Sequence, residues 1–379
     1  MAFEIDFLAV GDGDRGGDAI ALRFGNLSGP REQQTVIVID GGWTDTGSEL
    51  VDLIRKCYGT DRVDVVISTH PDADHSSGLL VLLDELKVGD LLMHLSWDHT
   101  GDIARMFRDD RVTDESVRLK LRRSLESACA LSTKAKRKGI PITEPFQGVS
   151  GFNGQLEILG PTRSYYDSLL PHFRGTPDPM PLATLLAGLR SPQQSPPLGG
   201  LLGQPSRLAS SLLGIRATES HEIETLIEPS EGTSPENNTS AITLIRVDGK
   251  ALLFTGDAGI PALTIAADRL NALGLGRAID FIQVPHHGSR RNVGPAILDR
   301  LVGPRLSQAA MTKMAFCSCP KDSQKHPAKK VANAFRRRGA PVHATKGMSL
   351  RWNSKDAPPR PNYGPATPLP HYFDVEDAG

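Results

Sequence analysis

The sequence predicts an α/β protein whose sheets are covered by helices, and three observations carry that prediction. Short apolar runs of strand length alternate with stretches of helical periodicity. Glycine-rich turns separate the first runs, at 11–17 and 25–30. Three of the predicted strands run straight into Asp or His, and the C-terminal edge of the strands is where open α/β layers gather functional groups.

The elements follow in order. Residues 5–10, 19–24 and 35–39 read as three consecutive strands, a meander or hairpin start. A helix near 48–58 leads to a strand at 63–68, a polar loop, a helix near 77–86 and a strand at 91–95. Residues 113–139 read as one long helix. Thr113 is its N-cap, Asp114 and Glu115 lie in the first turn, Leu121, Leu125, Ala128 and Leu131 share one face, and Gly139 is the stop. The cluster Lys134, Lys136, Arg137 and Lys138 suits the negative end of that helix; a nucleic-acid contact is the alternative. Residues 241–247 and 251–254 form a hairpin across Asp248-Gly249. A helix from about Pro261 and a strand at 278–284 follow.

Two stretches break the alternation. Residues 171–236, rich in Pro, Gly and Ser, read as a surface insertion, and residues 354–379, with six prolines from Pro358 to Pro370, as a flexible tail. The organisation expected is one domain over 1–353 carrying that insertion.

Composition narrows the class of molecule. The chain has 379 residues, 39% hydrophobic and 23% charged, enough to bury a large core. A formal net charge of -1 and a pI near 6.8 give no global basic field, so any grip on a polyanion is local. Cys57, Cys129, Cys317 and Cys319 are too sparse for a disulfide framework, and Cys317-Ser318-Cys319 lacks the second pair of a structural zinc site. No window approaches the length of a membrane span, and the first residues carry no leader pattern. A cytoplasmic protein without a membrane partner is expected.

The chemistry concentrates in Thr69-His70-Pro71-Asp72-Ala73-Asp74-His75, placed directly after the apolar strand 63–68. Asp257 follows a second strand, and His286-His287 a third. Imidazole nitrogens and carboxylate oxygens bind borderline or hard divalent ions, and a carboxylate can bridge two of them. Adjacent side chains at a strand end point to opposite faces, so only one of His286 and His287 is expected to be a ligand. His94, His99, His172, His221, His343 and His371 stand without clustered partners and read as structural. Asp12 and Asp14, flanked by glycines, read as turn residues.

With those residues in hand, the chain resembles the metallo-β-lactamase-fold hydrolases, in which a strand ends in His-x-His-x-Asp-His, a later Gly-Asp supplies a bridging carboxylate and a last strand ends in His. Within them it resembles the soluble catalytic domain of the DNA-uptake competence proteins. That likeness rests on Gly17-Asp18-Ala19-Ile20, Ile39-Asp40-Gly41-Gly42, the run Leu-Glu-Ile-Leu-Gly-Pro at 156–161, and Asn237-Asn238-Thr239-Ser240. Thr255-Gly256-Asp257, Pro285-His286-His287-Gly288-Ser289 and Lys325-His326-Pro327 complete it.

The resemblance implies a four-layer αβ/βα sandwich. It implies one ion held by His70, Asp72 and Asp257, with Asn237 or Asn238 a weak addition. A second would be held by Asp74, His75, Asp257 and one of His286 or His287. Asp74 would orient the attacking water. Asp40 more often ties the motif loop than binds metal, and Ser240, Ser289 and His326 are candidates for contacting substrate or supporting ligands.

The chain departs from the pattern twice, with Asp72 in place of the second His and the Asn pair in place of another. Harder ligands weaken the preference for zinc and admit Mn²⁺ or Mg²⁺, so one or two divalent ions per chain are expected, Mn²⁺ or Zn²⁺, with Mg²⁺ admissible. The function implied is phosphodiester hydrolysis by metal-activated water, on DNA or RNA, with Arg290-Arg291 available to flanking phosphates. Two alternatives stand beside it: hydrolysis of a small ester, cyclic nucleotide or thioester, and a non-catalytic binding or regulatory role with a weakened metal site.

Overall fold

A computed structural model of the chain describes all residues except 14, 102, 180–216, 221, 308, 309, 362 and 377–379, together with the backbone but not the side chain of 217. Two seven-stranded mixed sheets face each other. The first has the order β15 (Leu350–Asn353), β1 (Ala2–Phe7), β2 (Ala19–Gly25), β3 (Gln34–Gly41), β4 (Arg62–Ile67), β5 (Lys87–Leu92) and β6 (Ile142–Thr143). The second has the order β14 (Val342–Ala344), β13 (Met314–Cys317), β12 (Phe281–Gln283), β11 (Lys250–Phe254), β10 (Ile242–Val247), β8 (Leu156–Gly160) and β7 (Ser150–Gly151).

Alternation along the strands dictates the layers. In β3, Val36 and Val38 pack with helices α1 (Thr44–Cys57), α2 (Ala73–Glu85), α3 (Asp114–Ser124) and α4 (Glu126–Arg137), while Ile37 and Ile39 face the other sheet. In β11, Leu252 and Phe254 meet them from the opposite side, and Ala251 and Leu253 turn outward. That outer face is covered by α6 (Ile260–Ala272), α7 (Pro295–Leu301) and α8 (Lys329–Arg337). The short α5 (Arg163–Leu169) follows β8. The result is helix, sheet, sheet, helix, with an aromatic-rich core between the sheets that includes Phe7, Phe281 and Phe316. Both sheets are antiparallel at one end and parallel at the other. The parallel strands β3, β4, β11 and β12 deliver their C-terminal ends to one cleft.

Several sequence expectations are corrected. The long helix over 113–139 is two helices, broken at Leu125, whose backbone (φ -113°, ψ 45°) leaves the helical region. The break lets Val117 and Leu121 on one segment and Ala128 and Leu131 on the next all reach the core. Its cationic end packs on α2: Lys134 donates to the Leu80 carbonyl and pairs with Asp84, and Lys138 donates to the Leu83 carbonyl. Strand β5 starts four residues early, because parallel pairing from Arg62↔Lys87 to Ile67↔Leu92 needs only backbone groups, and the polar residues at its start do not prevent it.

The described ends of the insertion are not merely surface chain. Pro171 and Phe173 are buried, Leu226 joins the second outer core, and buried Glu219 pairs with Arg337. Its most Pro- and Gly-rich part and His221 lie outside the described residues, as does Asp14. The tail read as flexible is anchored. Arg360 reaches Glu4 and Asp6 inside the fold, β16 (Asp374–Val375) pairs with β9 (Ala217–Thr218), and the Glu376 carboxylate accepts from the first N–H groups of α8. Proline content announced loop conformation but not the ion pairs that hold the loop down.

Candidate metal centre

Asp40, at the end of β3, organises the motif loop that follows β4. Its carboxylate accepts from the Thr69 backbone N–H at 2.8 Å, the Thr69 hydroxyl at 2.6 Å and His75 Nδ1 at 2.8 Å. The Thr69 proton is thereby spent on Asp40, so His70 Nδ1, 3.0 Å from Thr69 Oγ1, is the donor in that contact. In its neutral form each ring then carries its lone pair on Nε2, and both Nε2 atoms face Asp257. His75 Nε2 lies 3.6 Å from Asp257 Oδ1, and His70 Nε2 3.9 Å from Oδ2. Helix α2 begins inside the motif. Asp72 stands at its N-cap position without capping it, and Asp74 sits in its first turn, where the helix dipole favours a carboxylate.

Asp257 is set in the turn after β11, with its N–H donated to Ser240 Oγ at 3.1 Å. The turn after β12 brings the last two histidines. Both His286 (φ 47°) and His287 (φ 53°) adopt left-handed backbone, so the alternation of a strand does not apply and both rings turn toward the same carboxylate. Their Nε2 atoms lie 3.5 and 4.0 Å from Asp257 Oδ2, so both rings approach one carboxylate, while among the described residues only His287 of the two belongs to a set of three donor atoms able to hold an ion. Their Nδ1 atoms are held as well. His287 donates to the Ser318 carbonyl at 3.1 Å, and His286 to Asn292 Oδ1 at 2.9 Å. The Asn292 amide is oriented unambiguously, since its Nδ2 donates to the carbonyls of Asp257 and Ala258.

Four imidazoles therefore present Nε2 lone pairs to one buried carboxylate. His70 Nε2, His75 Nε2 and Asp257 Oδ1 are buried without a hydrogen-bond partner, an arrangement costly unless something else binds them. Donor atoms within 4.8 Å of one another occur in the sets His70, His75, Asp257; Asp74, His75, His287; Asp18, Asp257, His287; and Asp18, Asp40, His75. These clusters are able to hold a metal ion, and the orphaned atoms fit one. The field agrees. Burial works against a charged His75, yet Asp257, Asp40 and Asp74 lift its pKa well above the ordinary value. Burial likewise opposes ionised Asp257, yet His286, His75 and His287 hold it well below the usual carboxylate range.

The remaining candidates fall around this centre. Asn237 is committed elsewhere, with Nδ2 donating to Thr233 Oγ1 and Oδ1 accepting from Ser234, so it is not placed as a ligand. Asn238 donates to the Ser234 carbonyl and leaves a buried, unpartnered Oδ1. Ser289 accepts from the Arg291 N–H and closes its own turn. His326 stacks beside His286, 6.2 Å between rings, with its pKa depressed to about 4 by burial and by His287 and His286. Asp12 caps a turn by accepting from Gly13.

Sequence reasoning missed several members. Asp18, buried at the start of β2, accepts from Gln283 Nε2 and lies 3.9 Å from His75 Nδ1; its signal was a Gly-Asp pair beside a strand, as at Gly256-Asp257. Arg174, in the insertion, bonds Asp72 Oδ1 at 2.5 Å. Outside the centre, His99 lies between Glu144 and Asp167, and the rings of Tyr166 and Phe146 pack against both His94 and His99 in tilted or edge geometry. These come from separate elements, and no spacing along the chain reveals them.

Residues 31–170, holding the motif loop and its supports, match the family model described as Metallo-beta-lactamase superfamily. The chain has the metallo-beta-lactamase fold. Among solved structures it is similar to a candidate metallo-beta-lactamase from Thermotoga maritima, at 11% identity and TM-score 0.27. That match covers 42% of this chain and 66% of the other, just under two thirds of its length. It is also similar to a diphosphatase of the PhnP family, at 10% identity and TM-score 0.36 over 93% of this chain and 98% of that one. A mutant metallo-beta-lactamase from Cronobacter sakazakii aligns at 12% identity and TM-score 0.22, covering 40% and 48%. No curated protein matches the sequence. No helix among the described residues is long and apolar enough to cross a membrane.

Proposed function

We propose that the chain is a metal-dependent hydrolase acting on phosphodiesters, with DNA or RNA as the substrate class. The observation that carries the hydrolase reading is the convergence of four Nε2 atoms on Asp257, each ring fixed by its Nδ1 partner. When bound, a divalent ion would polarise a phosphoryl oxygen and acidify a water at neutral pH. The residues that would hold it are His75, Asp257, His287, Asp74 and Asp18, with His70 and His286 on the flank. Mn²⁺ and Zn²⁺ suit this mixture of imidazole and carboxylate.

The chain's own groups do the rest. Asp74, about a quarter exposed where the other ligands are buried, would orient the attacking water. Asp40, Thr69, Asn292 and Ser318 keep each imidazole from rotating. Preference for phosphodiesters is supported by the motif likeness to the competence proteins and by the basic residues next along the chain. Arg290 and Arg291 follow the His286-His287 turn and line a pocket with Lys330.

The test is cleavage of labelled single- and double-stranded DNA and RNA with Mn²⁺, Mg²⁺ or Zn²⁺, by wild type, Asp74→Ala and Asp257→Ala. Metal-dependent cleavage lost in both variants supports the reading. Turnover of small esters, cyclic nucleotides or thioesters with none of nucleic acid would reassign the substrate, and a chain that binds no divalent ion is not this enzyme.

A further inference from the structure

Among the described residues, Asp72 belongs to no set of three donor atoms lying within 4.8 Å of one another, whereas His70, Asp74, His75, Asp257 and His287 all do. The reason is local. Asp72 Oδ1 is bonded to Arg174 Nη2 at 2.5 Å, and only Oδ2 remains, 3.7 Å from His70 Nε2. Arg174 is not a wandering surface cation. Phe173 before it is buried, its own N–H donates to Glu236 Oε1 at 2.6 Å, and Glu236 is buried within the same turn as Asn237. Behind it, Thr176 Oγ1 donates to the carbonyls of Pro171 and Phe173, closing the loop. The insertion thus sets a guanidinium against the one carboxylate that stands where the resembled pattern has a histidine.

A guanidinium bonded to a carboxylate both neutralises it and repels a second cation brought to the same group. Asn237 offers no compensation, because its Oδ1 accepts from Ser234 and its Nδ2 donates to Thr233. We infer that Arg174 is the resident cation at Asp72 and limits the chain to one tightly held divalent ion, centred on Asp257, His75 and His287. The inference rests on the metal-centre reading above and concerns only how many ions that centre takes.

The experiment is metal counting on the full chain. Wild type, R174M, R174K and the double variant R174M/D72N are stripped with chelator, titrated calorimetrically with Mn²⁺ and with Zn²⁺, and assayed for bound metal after dialysis. Circular dichroism establishes that each is folded. Wild type and R174K should retain one ion per chain. R174M should bind a second at least about tenfold more tightly than wild type does, and D72N in that background should remove the gain. Two equally tight ions in wild type, or a folded R174M that still takes one, would overturn the inference. Wild type that takes no ion overturns the metal-centre reading itself, and the two failures are therefore distinct.

Discussion

Each imidazole of the centre works through the atom that does not face Asp257. Asp40 accepts three bonds from two motif residues, so Asp40→Asn, which preserves shape but loses one acceptor, should weaken divalent-ion binding about 10- to 100-fold. Isothermal titration checks this, and an unchanged affinity would remove Asp40 from the supporting role. His94 yields a pH prediction. Burial, with His99 and Arg163 adding to it against the opposing pull of Glu144, depresses its pKa from 6.5 to about 3. The folded state thus binds a proton less readily than the unfolded state. This contribution to stability is complete above about pH 6.5 and is lost as pH falls toward 3, at about 1.4 kcal/mol per pH unit. His94→Phe should flatten that slope in urea unfolding between pH 5 and 7; an identical slope refutes the assignment. At this scale the sequence displayed the residue types of the motif, because local spacing suffices for them. It could not display Asp18, Arg174 or the Glu144–His99 pair, whose partners lie tens to hundreds of positions away.

Among the elements, α2 matters most, since its first turn carries Asp74 and His75. It lies against α1 and β3 at Gly78, where a Cβ would fall 1.9 Å from the Gly41 carbonyl oxygen and 2.7 Å from that of Trp43. Those neighbours are backbone and cannot yield cheaply. Gly78→Ala should cost about 1–3 kcal/mol in denaturant unfolding and weaken metal binding with it, because the shift reaches the start of the helix. A stability within 0.5 kcal/mol of wild type, roughly the range of a harmless surface change, would contradict the close approach. Strands and helices were legible wherever apolar periodicity was strong, as in β2, β3 and α6. Periodicity alone could not reveal the break at Leu125, since both helices keep an apolar face toward one core and the pattern runs on across the kink.

Across the whole molecule, the last residues close the first sheet. Arg360 places its guanidinium 2.7 Å from Asp6 and 2.9 Å from Glu4, both carboxylates fully buried. Burial raises the pKa of Asp6 even against Arg360, the cation paired with it, while Glu4 is shared among Arg360, Arg23 and Arg351. Arg360→Ala should destabilise the chain by about 3–5 kcal/mol, measured by urea unfolding at pH 7, because it strands buried charge; a loss below about 1 kcal/mol would show the strap to be dispensable. The α/β alternation was readable from apolar periodicity and the two-sheet architecture only through the likeness of the motifs to a known fold, and the strap was not readable, since nothing local in a proline-rich run announces its partner. The four clamps on the imidazoles carry a consequence for assembly. Thr69 and Asp40 come from the first sheet, Asn292 and Ser318 from the second, and Asp257 from the second as well. Three of the four donor sets, those containing Asp257 or His287, draw atoms from both halves, so an ion captured in one of them would act as a latch on their docking. Free ion at a hundred times its Kd would add about 2.7 kcal/mol to global unfolding, and chelator would release it in one cooperative step.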